Sequence, residues 1–86
     1  MQTLVSIITP VKNVSKWIEE THLSIQKQTL KEWEWIIIDD HSSDDTWRKI
    51  QEYATLDTRV QCYKATEIGI IPALQLAFSL AKGKFI

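Results

Sequence analysis

Short apolar runs alternate with segments of helical spacing along the whole chain of 86 residues. Residues 3–9, TLVSIIT, are β-branched and apolar, and Pro10 closes the run, so they predict a buried strand. Positions 10–13 predict a turn. Ser15 offers an N-cap for a helix to about Gln28, with Ile18, Thr21 or His22, and Ile25 on one face. Residues 35–39, WIIID, are apolar on both faces, as a central parallel strand requires.

The next segment, HSSDD at 41–45, is polar and opens a second helix. Ser43 or Asp44 can cap its free amides, and acidic residues suit the positive end of the helix dipole. Thr46, Ile50 and Tyr53 share its inward face, and the helix should end at Tyr53 or Ala54. Residues 59–64, RVQCYK, predict a third strand. Beyond Gly69, Pro72 sits where a first helical turn tolerates it, an apolar helix follows over 73–81, and Gly83 stops it. Lys84, Phe85 and Ile86 open a fourth strand. The order βαβαβαβ with short connections predicts a three-layer, Rossmann-like α/β unit. Its parallel sheet has three to four strands joined by right-handed crossovers. The whole chain reads as one partial domain, because it ends three residues into a strand.

Composition narrows the function classes. A net charge of −1 supplies no field for nucleic acid or an anionic membrane. No stretch approaches the ~20 apolar residues of a membrane span, and no signal-like N-terminus is present. The single cysteine, Cys62, falls in a predicted strand and reads as inert core in a reduced, cytosolic protein. Membrane association through other parts of a longer protein is compatible with that reading.

In an open parallel sheet, ligands bind beyond the carboxyl ends of the strands. Three polar clusters fall there: residues 9–13 (TPVKN), 39–43 (DDHSS) and 67–69 (EIG). A carboxylate at the end of the second strand can accept from a ribose hydroxyl or a base N–H, and helix starts can hold phosphate oxygens. Neither glycine-rich phosphate pattern follows the first strand. A divalent cation held by carboxylates is the substitute that hard oxygen chemistry suggests, magnesium or manganese.

Residues 4–46, with the strand ending in Thr9-Pro10, then Gln28-Thr29, then Asp39-Asp40-His41-Ser42, resemble the opening of glycosyltransferase family 2. Residues 69–86, ending AKGKFI, resemble the stretch leading to that family's metal-binding Asp-x-Asp motif. The resemblance covers nearly the whole chain. It implies the GT-A fold and a nucleotide-diphosphate-sugar donor, a UDP-sugar foremost, with a glycan or lipid-linked acceptor and transfer by inversion. It places Thr9 and Pro10 beside base and ribose, Asp40 on a base N–H, Asp39 as a brace of the loop, and Gly69 where backbone approaches the nucleotide. Lys12 could reach the diphosphate. The Mg or Mn ligands and the catalytic base would lie beyond Ile86, so no catalytic residue and no metal is expected in this segment itself, which should not turn over substrate. Two positions depart from the family: Lys12 stands where many relatives carry an aromatic ring, and Ala73-Leu74-Gln75 where many carry Ala-Arg-Asn.

Plainer readings compete at several positions. Ser42, Ser43, Asp44 and Asp45 suit capping, His41 suits an exposed loop, and His22 a satisfied structural site. The four tryptophans suit packing rather than a sugar platform. Two other functions fit an α/β sheet with clustered aspartates. One is a non-catalytic interaction module that self-associates through apolar helix faces as a homo-oligomer. The other is a receiver-like signalling domain, although that fold wants its acidic pair after the first strand.

Overall fold

A computed structural model describes residues 5–27, 32–66 and 68–85. The elements run β1 (Val5–Val11), α1 (Ile18–Gln26), β2 (Trp33–Asp39), α2 (Thr46–Leu56), β3 (Val60–Lys64), α3 (Ile70–Leu80) and β4 (Lys84–Phe85). All strand pairs are parallel, in the order β3-β2-β1-β4. The expected α/β unit is thus found, with four strands. Thr3, Gln28, Glu67 and Ile86 lie outside the described residues.

The strand order fixes the layers. β1, β2 and β3 advance in one direction across the sheet, so right-handed crossovers put α1 and α2 on one face. β4 returns to the far side of β1, and the same handedness puts α3 on the other face. β2, flanked on both edges and covered on both faces, is buried at every position from Trp33 to Asp39. Its side chains alternate. Trp33, Trp35 and Ile37 pack with Ile18, Ile25 and Ile50 of the α1/α2 layer. Ile36 and Ile38 pack against Ala73 and Ala77, one turn apart on α3, whose small side chains let the helix approach the strands. Complete burial of each such isoleucine contributes about 1.5–3 kcal/mol. The Trp35 indole donates to Thr9 Oγ1 at 2.9 Å, which satisfies a polar group in an otherwise apolar layer.

Four expectations need correction. Pro10 and Val11 belong to β1, not to a turn. The Val11 carbonyl accepts from the Asp40 amide at 2.8 Å, so odd positions of β1 bond β2 and Pro10 faces the β4 side. There the described pairs of β4, with Val5 and Ser6, lie at the other end of β1, and the bonds of β1 to β2 do not use the Pro10 amide. Ser15 does not cap α1. The helix starts at Ile18, with Trp17 in the cap position, because the Ser15 amide is drawn to Asp44 Oδ2 at 3.3 Å. Gly83 does not end α3, which gives way to extended backbone at Ala81. His22 is buried and stacked on Tyr53, with ring centroids 3.9 Å apart, but its Nε2 has no hydrogen-bond partner among the described residues. Burial lowers its pKa below 6.5, against the pull of Asp57 and Glu19.

Candidate functional site

The reversal of strand order at β1 creates a crevice at the carboxyl ends of β1 and β2, where such sheets take ligands. Two adjacent aspartates arrive there on opposite faces. Asp39, on the α1/α2 side, is closed on its own loop: Oδ1 accepts from the Ser42 amide at 3.3 Å and from the Ser42 hydroxyl. Asp40, one residue on, turns toward the start of α3. Both its oxygens lie 3.2 Å from the Gly69 amide. Its Oδ1 also lies 3.0 Å from His41 Nδ1, a hydrogen bond in which the ring nitrogen must carry the proton, since a carboxylate only accepts. The His41 bond, then the Gly69 amide, hold the Asp40 carboxyl below its ordinary pKa, and nearby Lys12 pulls the same way.

Two backbone features make this contact. Gly69 precedes α3 with φ 118° and ψ 161°, a region open essentially to glycine alone, and so aims its amide at Asp40. His41 has φ 61°, a left-handed conformation uncommon outside glycine. It turns the chain sharply after β2 and folds the ring back onto the preceding carboxylate.

Beside this, the β1–α1 and β2–α2 loops are joined by short polar side chains. The Asn13 amide donates to Ser42 Oγ at 2.9 Å, and Asn13 Oδ1 accepts from the Ser43 amide at 2.7 Å. Thr46, fully buried, accepts from the Val14 amide at 2.9 Å and donates to Asp44 Oδ1 at 2.6 Å. The cap position of α2 is held by neither expected residue but by Asp45, which makes no side-chain cap bond, while Asp44 beside it takes the Thr46 amide. The Thr46 hydroxyl is the first cause that draws the Asp44 pKa down to about 2. Lys49 Nζ reaches the Ser15 carbonyl at 2.6 Å. The floor of the crevice is therefore pre-formed.

A shallow cleft of about 100 Å³ opens over it, lined by Pro10, Val11, Lys12, Asp40 and Ile70. Of the residues expected at the site, Pro10, Lys12 and Asp40 meet in this cleft and Gly69 braces it. Thr9 and Asp39 stand at the same rim on the other face, engaged with Trp35 and Ser42. Sequence reasoning missed Ile70, which reads only as the start of an apolar helix. It also read His41 as plain loop; its side chain is exposed, yet it bonds the central carboxylate. Among the described residues, no three His, Cys, Asp or Glu side chains gather to hold a metal ion. Asp39 and Asp40 face opposite ways and do not chelate one ion together, so these residues by themselves do not fit a divalent cation.

Comparison with known sequences settles the family. The sequence model of Glycosyl transferase family 2 matches residues 6–86. The chain belongs to that family. The receiver-like reading falls with this match. Curated relatives include a UDP-Glc:alpha-D-GlcNAc-diphosphoundecaprenol beta-1,3-glucosyltransferase, WfaP, of Escherichia coli, 40% identical over 96% of this chain and 33% of that protein. Glycosyltransferase GlyG of Streptococcus pneumoniae is 31% identical over all of this chain and 29% of its own length. The chain spans about a quarter to a third of the length of the first such relatives. Among solved structures, mannosyltransferase PcManGT from Pyrobaculum calidifontis, in complex with GDP-Man and Mn2+, superposes with TM-score 0.85. It is 26% identical over 96% of this chain and 26% of that one. TarS 1-349 of S. aureus in complex with UDP-GlcNAc gives 0.81 at 26% identity, over 95% of this chain and 25% of its own. The family 2 chain carries the GT-A type of α/β fold. Among its described residues, no helix is long and apolar enough to cross a membrane.

Proposed function

We propose that the cleft at the end of β2 binds the nucleotide part of a nucleotide-diphosphate-sugar, a UDP-sugar foremost, for a glycosyltransferase of which these residues are the donor-binding part. The observation that carries this reading is Asp40. Its carboxylate is held by Gly69 and His41, faces the cleft, and keeps accepting capacity on Oδ2. Uracil presents an imide N–H suited to such an acceptor. Pro10 and Ile70 offer apolar surface to the base, and exposed Lys12 stands at the mouth as a cation for the diphosphate. Thr9 and Asp39 shape the rim from the opposite face, Asp39 by fixing the loop that carries His41 and Ser42. The bound nucleotide sugars of PcManGT and TarS support the ligand class.

In the whole enzyme the sugar would pass to an acceptor hydroxyl with inversion, on a glycan or a lipid-linked acceptor such as the diphosphoundecaprenol in the name of WfaP. An acceptor of that kind would bring a cytoplasmic enzyme to the membrane face. A divalent cation, as in the PcManGT complex, would neutralise the diphosphate there, and the proposal assigns it no ligand among the described residues.

Titration of the chain with UDP, followed by amide NMR, tests the proposal. Shifts should cluster at Lys12, Asp40, Gly69 and Ile70. Asp40→Asn, which removes a charge-assisted bond to the base, should weaken binding about tenfold or more. Shifts confined to other surfaces, or unchanged affinity in Asp40→Asn, would refute it.

A further inference from the structure

We propose that His41 is a positioning residue for nucleotide recognition: by bonding one oxygen of Asp40 from a left-handed turn, it fixes the carboxylate plane and so the direction in which the other oxygen meets the ligand. This deepens the donor-site reading and rests on it.

Three observations converge. The carboxylate has two anchors at the rim, the Gly69 amide and His41 Nδ1. The amide lies 3.2 Å from both oxygens, so it fixes the position of the group without choosing between them. Among the described residues, His41 alone bonds one oxygen and not the other, with Nδ1 3.0 Å from Oδ1. A terminal carboxylate torsion is broad and roughly two-fold, so without His41 the plane of the group would swing about the Gly69 amide. The ring lies against its own neighbour, the preceding carboxylate. The φ of 61° at His41 brings it there, and a histidine accepts that conformation at a cost glycine would not bear. The bond carries charge-assisted strength, and it is the first cause of the low Asp40 pKa.

The backbone geometry separates this role from a structural one. His41→Gly relieves the left-handed turn, so the melting temperature should stay level or rise while the anchor is lost. His41→Asn tolerates the same turn and keeps a donor. In the ligand-free chain, carboxyl NMR titration should show the Asp40 pKa rising toward 3.8 in His41→Gly, and less so in His41→Asn. UDP affinity should fall about 3- to 10-fold in His41→Gly, the scale of one hydrogen bond, and recover in part in His41→Asn. With the diphosphate of N3-methyluridine, which has no imide N–H, His41→Gly should make no difference. If wild type binds UDP and Asp40→Asn weakens it while His41→Gly does not, the positioning role is overturned and the donor site stands. Equal losses with UDP and its N3-methyl analogue also overturn it. A wild-type chain with no UDP binding overturns both.

Discussion

A carboxylate stands at each end of β2 on the same sheet face, and the two differ in what is left over. Glu34, at the start of the strand, is buried and spent. Its Oε2 accepts from the Ser6 hydroxyl at 2.6 Å and the Lys82 amide at 2.7 Å, and its Oε1 from Gln61 Nε2 at 3.1 Å. The Ser6 oxygen in turn takes the Gly83 amide at 2.9 Å. Asp40, just past the far end, has two anchors and an open cleft. Both carboxyls titrate below their ordinary values. For Glu34, burial, the largest influence, pushes upward and is outweighed by Ser6, Lys82 and Gln61 together. A lowered pKa therefore does not by itself mark a binding group. Both are buried, so what separates them is accepting capacity left at a cleft, and on that criterion Glu34 is architecture: it ties the α3–β4 connection to the sheet.

The largest effect should come from Glu34→Ala. It strands the Ser6 hydroxyl in a buried site and leaves the part-buried Lys82 amide without its acceptor, which together cost roughly 2–4 kcal/mol. Urea unfolding measures it, and a loss as small as that of a surface substitution would break the distinction drawn above. Acid gives the next effect. The folded pKa of Glu34 lies below 4.5, so its contribution is complete above that value and drains as pH falls through the lowered one. Glu34→Gln should flatten the stability profile below about pH 4.5 by thermal melts, while UDP binding at neutral pH stays intact.

The comparison also explains what was legible in the sequence. The alternation of apolar runs with helical spacing gave every element, because each strand and helix buries a face that periodicity reports. The Asp39–Asp40 pair stood out as polar residues at the end of an apolar strand. Which of the two opens to the cleft depends on strand parity and on a helix start some 29 residues later, which a local pattern does not contain. Pro10 reads as a turn because proline lacks an amide, and only strand parity shows that the β1–β2 ladder does not use one there. The Ser6–Glu34 network joins residues 28 to 77 positions apart, and Ser15 is diverted from capping by Asp44, 29 residues on. Polar side chains inside a run report their chemistry but not their partners.

Gly69 tests the open end. A Cβ there would meet only Pro72 Cδ at 3.6 Å, so crowding is slight and the cost lies in the backbone. Gly69→Ala should destabilise by about 1–3 kcal/mol, with UDP affinity falling alongside because the amide that anchors Asp40 would move. Stability loss with unchanged affinity, read by melts and calorimetry, would show that Asp40 holds its place without Gly69.

Gln61→Ala probes the closed end at its weakest point. Gln61 gives one bond to Glu34 Oε1 and takes one from the Tyr63 hydroxyl at 2.9 Å, in a half-buried position where water can replace both. Glu34 would keep the two donors on Oε2, so the expected loss is about 0.5–1 kcal/mol, the net worth of an ordinary hydrogen bond. UDP binding at the opposite end of β2 should not change. Urea unfolding of Gln61→Ala beside Glu34→Ala decides how the saturation is built. A small loss for the first and a large one for the second mean that the Ser6 and Lys82 contacts carry the network. Equal losses would mean that the carboxylate needs every donor, and that even the closed end of β2 has nothing to spare.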